Sequence, residues 1–170
     1  MRSPCDQALP TAAAGETWLL RPVQASDLPA IEALLEGLDE DDRCRRWFTP
    51  AVDLHKAALW AAHPERQSGV GLVADAGGRV VGHGALAPID HRSAEVAFEV
   101  AADWRHHGIA GRILEELERA AVDRGLEVLE ADVLDRNRDM LLVFREHGPC
   151  ATASEEGVVH VVMPVHATID

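Results

Sequence analysis

The spacing of hydrophobic residues changes along the chain, and the changes mark its elements. Trp18 to Val23, WLLRPV, is a short apolar run that reads as a strand. Ser26-Asp27 supplies a helix start, after which Ile31, Leu34 and Leu35 fall on one helical face and Gly37 ends the segment. A second helix is expected from near Asp39 through Arg43, Trp47 and Phe48, and a third from Val52 to Ala62. Gly69 to Ala74 and Arg79 to Ala87 flank Asp75-Ala76-Gly77-Gly78, the composition of a tight turn between paired strands. After the loop at Pro88 to Ser93, Ala94 to Val100 is another strand. Helical spacing returns from Gly108 to Arg124, where Ile109, Ile113, Leu117 and Ala121 recur every fourth residue before Gly125. A buried strand at Leu126 to Val133, a helix from Asn137 to His147, and a strand pair at Cys150 to Ser154 and Val158 to Val165 follow.

This order predicts a single α/β (α+β) domain with a mixed, mostly antiparallel central sheet and helices on both faces. The 170 residues suffice for one domain with a substantial core, and no repeat or linker divides them. Residues 1–16, MRSPCDQALPTAAAGE, have neither an apolar run nor a basic cluster before one, and read as a flexible tail to a domain at 17–170. No run approaches the roughly 18 apolar residues of a membrane span, so a soluble cytoplasmic protein without membrane partners is expected.

Charge narrows the choice of partners. A net charge of −13 argues against nucleic-acid binding through phosphates and favours a cationic partner. Three cysteines, Cys5, Cys44 and Cys150, are too few and too scattered for a disulfide framework or a zinc site. Cys44 and Cys150 read as core thiols, and a nucleophilic Cys150 after Gly148-Pro149 is the alternative.

The most informative stretch is AEVAFEVAADWRHHGIAGR, Ala94 to Arg112: a strand, a basic turn, then Gly108-Ile109-Ala110-Gly111 opening a long helix. Unpaired N–H groups of a first helical turn carry partial positive charge, and small residues admit phosphate oxygens close to the backbone. Arg105, His106, His107 and Arg112 add basic groups there. The turn has no Walker lysine, and its spacing does not run through G-x-G-x-x-G. Two solvated turn histidines are the plainer reading of His106-His107, and no third ligand is spaced to make them a metal site.

Arg105, Gly108 and Ala110 fit R-x-x-G-x-A, and the element order from 17 to 165 fits with it. On both counts the chain resembles the GNAT superfamily of N-acyltransferases, closest to the bacterial Pat-type protein lysine acetyltransferases. LLRPVQASDLPAIEALLEGLDEDDRCRRWF, AEVAFEV and VLDRNRDMLLVFREHG carry the closer likeness. The resemblance implies a splayed parallel strand pair that holds acetyl-CoA as co-substrate. It implies that the backbone of Phe98, Glu99 and Val100 lies along pantetheine and that the amides of His106, His107, Gly108, Ile109, Ala110 and Gly111 hold the pyrophosphate. Asn137 matches an asparagine that helps hold the cofactor arm; capping its own helix, together with Asp135, is the equal alternative.

An amine must lose a proton to attack a thioester, and a free lysine, with a pKa of about 10.4, is almost fully protonated at neutral pH. A carboxylate can take that proton and attract the ammonium. Period-two geometry puts Glu95, Ala97 and Glu99 on one strand face. Glu95 matches the general base of the family's A-E-V/I pattern and is the first candidate; Glu99 is the second. A solvated, ion-paired face is the plain alternative for both. Many GNAT members use a tyrosine to protonate the departing thiolate, but this chain has no tyrosine, and Phe144 stands at that position. Met140 and Phe144 read as core; Trp47, Phe48 and Trp60, in the region that the resemblance implies shapes the acceptor site, read as packing, with lining of the acceptor entrance as the alternative. The expected function is acetyl transfer to a primary amine, most simply a protein lysine. A small amine acceptor and a non-catalytic acyl-CoA sensor stay open, as does a homodimer.

Overall fold

In the computed structural model, which describes residues 10–13 and 16–166, the strands form one eight-stranded sheet. They are β1 (Pro10–Ala13), β2 (Glu16–Pro22), β3 (Val70–Ala76), β4 (Arg79–Pro88), β5 (Ser93–Val100), β6 (Val128–Leu134), β7 (Ala151–Glu155) and β8 (Val158–Pro164). Their order across the sheet is β1-β2-β3-β4-β5-β6-β8-β7. Every neighbouring pair is antiparallel except β5–β6, so the mixed, mostly antiparallel sheet expected from the element order is present. The helices are α1 (Leu28–Glu36), α2 (Glu40–Trp47), α3 (Leu54–Ala61), α4 (Ile109–Asp123) and α5 (Arg138–His147).

Helices cover both faces. On β4, Gly82 and Gly84 turn toward α4, and a Cβ at Gly84 would run into Ile113 Cγ2, so glycine there lets the helix lie close to the sheet. Ile109, Ile113, Leu114, Leu117 and Ala121 bury the α4 stripe, as their spacing predicts. His83, Ala85 and Ala87 alternate to the opposite face, where α1 packs on β4 and α3 packs on α1. Between the layers lie Trp18, Ile31, Leu35, Val73, Leu86, Leu129 and Met163.

Three sequence expectations need correction. Pro10–Ala13, assigned to the tail, pairs antiparallel with β2 as the edge strand, a position that tolerates proline because no neighbour needs its missing N–H. The rest of the expected tail, residues 1–9 and 14–15 with Cys5, and the domain end at 167–170 lie outside the described residues. Asp27 does not cap α1 with its side chain; its carboxylate accepts from Gln24 N at 2.8 Å and pairs with Arg21 at 2.8 Å. Asp39 and Asp53 do cap α2 and α3, accepting from Asp42 N and Lys56 N. Cys44 and Cys150 are free and half-buried, not fully enclosed core thiols, because α2 and the segment before β7 lie at the surface. Among the described residues, no helix is long and apolar enough to cross a membrane.

Candidate active site

Parallel pairing of β5 with β6 is short. It covers Ser93↔Val128, Ala94↔Leu129 and Glu95↔Glu130, and beyond these residues the strands part while β6 follows β8 to its end. The gap is a cleft of about 660 Å³. Val96, Phe98 and Val100 line one side and Ala131 and Val133 the other, with Met140, Val143 and Phe144 of α5 against them. The β5 backbone facing this cleft has no ladder partner from β6, so its N–H and C=O groups are available to a linear amide.

The start of α4 also lines the cleft. Gly108 caps the helix with φ 78°, a left-handed conformation that glycine adopts without penalty, and no side chain satisfies the first-turn N–H groups. A Cβ at Gly108 or Gly111 would meet no atom within 4 Å, so the cradle is open and lined by backbone. Small, uncapped and electropositive, it fits a pyrophosphate. His106, beside it on the cleft wall, also has positive φ, 62°.

Of the residues singled out from the sequence, Phe98, Glu99, Val100, Arg105, His106, Gly108, Ile109, Ala110, Gly111, Asn137 and Glu95 all line this cleft. His107 and Arg112 do not. His107 Nδ1 donates to the Arg105 carbonyl and its ring packs at 5.8 Å from Trp104. Arg112 turns along its own helix to Glu115 and Glu116 at 2.6 and 2.7 Å. Arg105 is also spoken for: it pairs with Asp42 at 2.7 Å and donates from Nε to the Val100 carbonyl. The expected basic island is therefore largely neutralised by acids one turn away or on α2, and the positive end of the site comes chiefly from α4 amides. Asn137 caps α5, accepting from Met140 N at 3.4 Å, and faces the cleft as well. Neither Cys44 nor Cys150 is among the cleft residues.

Glu95 and Glu99 share a face, as period two requires, but their environments differ. Glu95 is exposed at the cleft wall. Glu99 is buried: Arg46 Nε of α2 donates to its Oε2 at 2.8 Å and His83 Nδ1 donates to its Oε1 at 2.8 Å. The antiparallel register sets His83 directly opposite Glu99, Ala85 opposite Ala97 and Ala87 opposite Glu95. Burial alone would raise the Glu99 pKa, but Arg46 and His83 outweigh it and hold the carboxyl at about 2. So weak a base is a poor acceptor for an ammonium proton, and Glu99 acts as a fixed anion that orients His83 and Arg46. Of the two glutamates, Glu99 is thus the less favourable candidate for the ammonium proton.

Arg46 and His83 were not singled out from the sequence. The one signal was a histidine between two glycines in the apolar run RVVGHGALA, where a buried imidazole needs a partner. A second cavity of about 260 Å³ lies on the α1–α3 side of β5, and Arg46, Glu95, Ala97 and Glu99 line both it and the cleft. Trp47 and Trp60 wall this second cavity, and Phe48 faces the cleft instead. Phe144 is buried with its ring 5.7 Å from Phe98, and leaves an apolar wall where a tyrosine hydroxyl would stand.

The sequence profile of the Acetyltransferase (GNAT) family matches residues 31–148. The GNAT domain of S. lividans PAT superposes with a TM-score of 0.84 at 25% identity, over 96% of this chain and 99% of that one. Ribosomal-protein-alanine N-acetyltransferase from Brucella melitensis gives a TM-score of 0.67 at 26% identity, over 86% and 98%. The fold is shared with yncA from Salmonella typhimurium, solved with its cofactor acetyl-CoA, at a TM-score of 0.72 and 16% identity, over 90% and 98%. No curated protein matches the chain.

Proposed function

The chain belongs to the GNAT acetyltransferase family, and from that membership we propose that it moves an acetyl group from acetyl-CoA to a primary amine within a ternary complex, with a protein lysine side chain as acceptor. The observation that carries this reading is the short β5–β6 pairing, which opens a backbone-lined cleft lined also by the uncapped start of α4. When bound, acetyl-CoA supplies an acetyl thioester already activated toward amines.

This chain's residues do the rest. Amides from His106 to Gly111 bind the pyrophosphate, and the free edge of β5 at 96–100 holds the pantetheine amides. Met140, Val143 and Phe144 keep water from the arm. Glu95, at the wall shared by cleft and second cavity, attracts the incoming ammonium and takes its proton at the carboxylate. The CoA thiol has an ordinary pKa of about 8.5, so it leaves as an anion without a tyrosine acid and is protonated from water. The net charge of −13 and the likeness to the Pat-type enzymes support a cationic protein acceptor over a small neutral one. Cytoplasmic action fits that substrate.

The test is to incubate the protein with acetyl-CoA and a protein mixture, and to map acetyl-lysines against an enzyme-free control while following thiol release. Discrete new acetyl-lysines are expected. Rapid acetylation of a small amine without them would replace the acceptor, and acetyl-CoA binding without thiol release to any amine would leave a sensor.

A further inference from the structure

The cleft passes through the sheet. Met140, Val143 and Phe144 line it on the α4–α5 face, and Leu38, Asp42, Arg46 and Phe48 line it on the α2 face, so it is open to both sides of the gap between β5 and β6. On the acetyltransferase reading, the pyrophosphate lies at the start of α4 and pantetheine along 96–100, so the acyl end of the arm points toward Ala97. Just beyond, the gap closes, because Glu95 pairs with Glu130. An acyl chain longer than acetyl therefore cannot continue between the strands. Its way out is past Ala97, whose side chain lies on the same strand face as Glu95 and Glu99. The second cavity lies on that face, and Arg46, Glu95, Ala97 and Glu99 line both spaces.

The walls of this cavity fit an alkyl chain. Ala85 and Ala87 of β4 stand opposite Ala97 and Glu95 in the strand register, and Ala57 and Ala61 stand one turn apart on α3. These small side chains leave a space of about 260 Å³, and Leu35, Trp47 and Trp60 complete its apolar surface. Packed interiors keep few voids larger than a water, and an apolar cavity of about 150 Å³ is enough to bind benzene. Of the polar groups at the wall, Arg46 Nε and His83 Nδ1 both bond to Glu99, and Glu95 is exposed. An alkyl tail makes no demand on any of them and leaves the exposed side of Glu95 to the amine.

We propose that the second cavity takes the acyl tail of the thioester, so that the protein transfers propionyl and butyryl groups as well as acetyl. The proposal rests on the acetyltransferase reading and adds to it the class of acyl donor. The step is the same for each donor: the amine nitrogen bonds to the carbonyl carbon, the carbon–sulfur bond breaks with its electron pair going to sulfur, and the amine proton passes to Glu95. Ala57, Ala87 and Ala97 set the length of tail that fits, since a larger side chain at any of them takes up its space.

Calorimetry without an amine gives the first test. Butyryl-CoA should bind the unaltered protein about tenfold more tightly than acetyl-CoA, the effect of two buried methylenes. Ala57→Leu on α3 and Ala87→Val on β4 each fill the cavity without altering β5 or α4. Each should abolish the preference for the longer chain and leave the affinity for acetyl-CoA unchanged. With Nα-acetyl-lysine amide as acceptor, each should also lower kcat/KM for butyryl-CoA about tenfold relative to that for acetyl-CoA. Either variant suffices if the other fails to fold, and the unaltered protein decides alone if both do. Equal affinity for the two thioesters in the unaltered protein, or a preference that survives filling of the cavity, overturns the acyl pocket and leaves acetyl transfer standing. Binding of neither thioester would instead sink the acetyltransferase reading itself.

Discussion

At the scale of single residues, two glutamates four positions apart on one strand face carry different chemistry because of what lies beyond the strand. Glu95 is exposed between the two cavities, where a carboxylate can exchange its proton. Glu95→Gln should lower kcat by about 10²- to 10⁴-fold with little change in the calorimetric affinity for CoA, the signature of a lost base. Near-full activity would assign deprotonation to water. Glu99 makes a different prediction. Its folded pKa of about 2 lies below the ordinary 4.5, so its pairing stabilises the fold above pH 4.5, and that contribution is lost as pH falls toward 2. Urea unfolding from pH 5 to pH 2.5 should show a steeper loss for the unaltered protein than for Glu99→Gln. Parallel curves would mean that the Arg46 and His83 contacts do not persist in solution. The shared face of the two glutamates was legible in the sequence from period two alone. Their division was not, since it depends on Arg46, 53 residues away, and on a cross-strand register that places His83 opposite Glu99.

At the scale of elements, local pattern was a good guide wherever one segment explains itself. The α4 stripe and the hairpin turn are set by residues within a few positions of each other, and they form as read. Pairings that cross the chain were less visible: β1 completes the sheet edge from a segment with no strand pattern, and Arg105 and Arg112 meet acids instead of projecting into the cleft. The seating of α4 on β4 has a specific test. Gly84→Ala forces a methyl into Ile113 and should destabilise the protein by about 1–3 kcal/mol, as overpacking does. In an Ile113→Ala background the same change should cost much less, because the atom it meets is gone. Equal costs in both backgrounds would place the strain elsewhere. Because α4 also carries the pyrophosphate cradle, Gly84→Ala should weaken CoA binding in parallel. Gly108→Asp acts at the cradle directly: it puts bulk and like charge at the helix start while keeping a residue that tolerates positive φ. Calorimetry should show a large loss of CoA affinity in a folded protein, and unchanged affinity would move the pyrophosphate elsewhere.

At the scale of the whole molecule, the two substrates of the proposed reaction meet opposite fields. The chain carries a net charge of −13, CoA is a polyanion, and a lysine-bearing peptide is a cation. The arginines nearest the cradle are paired with Asp42, Glu115 and Glu116, so their fields are largely cancelled beyond contact range. On the proposed reading, CoA is held by short-range amide contacts against a repulsive background, whereas the peptide is drawn in by the net charge and by Glu95 at the cleft wall. Salt shortens the reach of both effects, with a screening length of about 10 Å at 0.1 M. Raising NaCl from about 20 to about 200 mM should lower kcat/KM for a lysine-rich peptide several-fold, while kcat/KM for acetyl-CoA stays level or rises. A short neutral amide of lysine should fall less than the peptide, since it samples less of the surface. If both substrates weakened together, an exposed basic site for CoA would have to exist, and the amide-lined cradle would not be the dominant anchor. If neither responded, the acidic surface would have no part in choosing the acceptor.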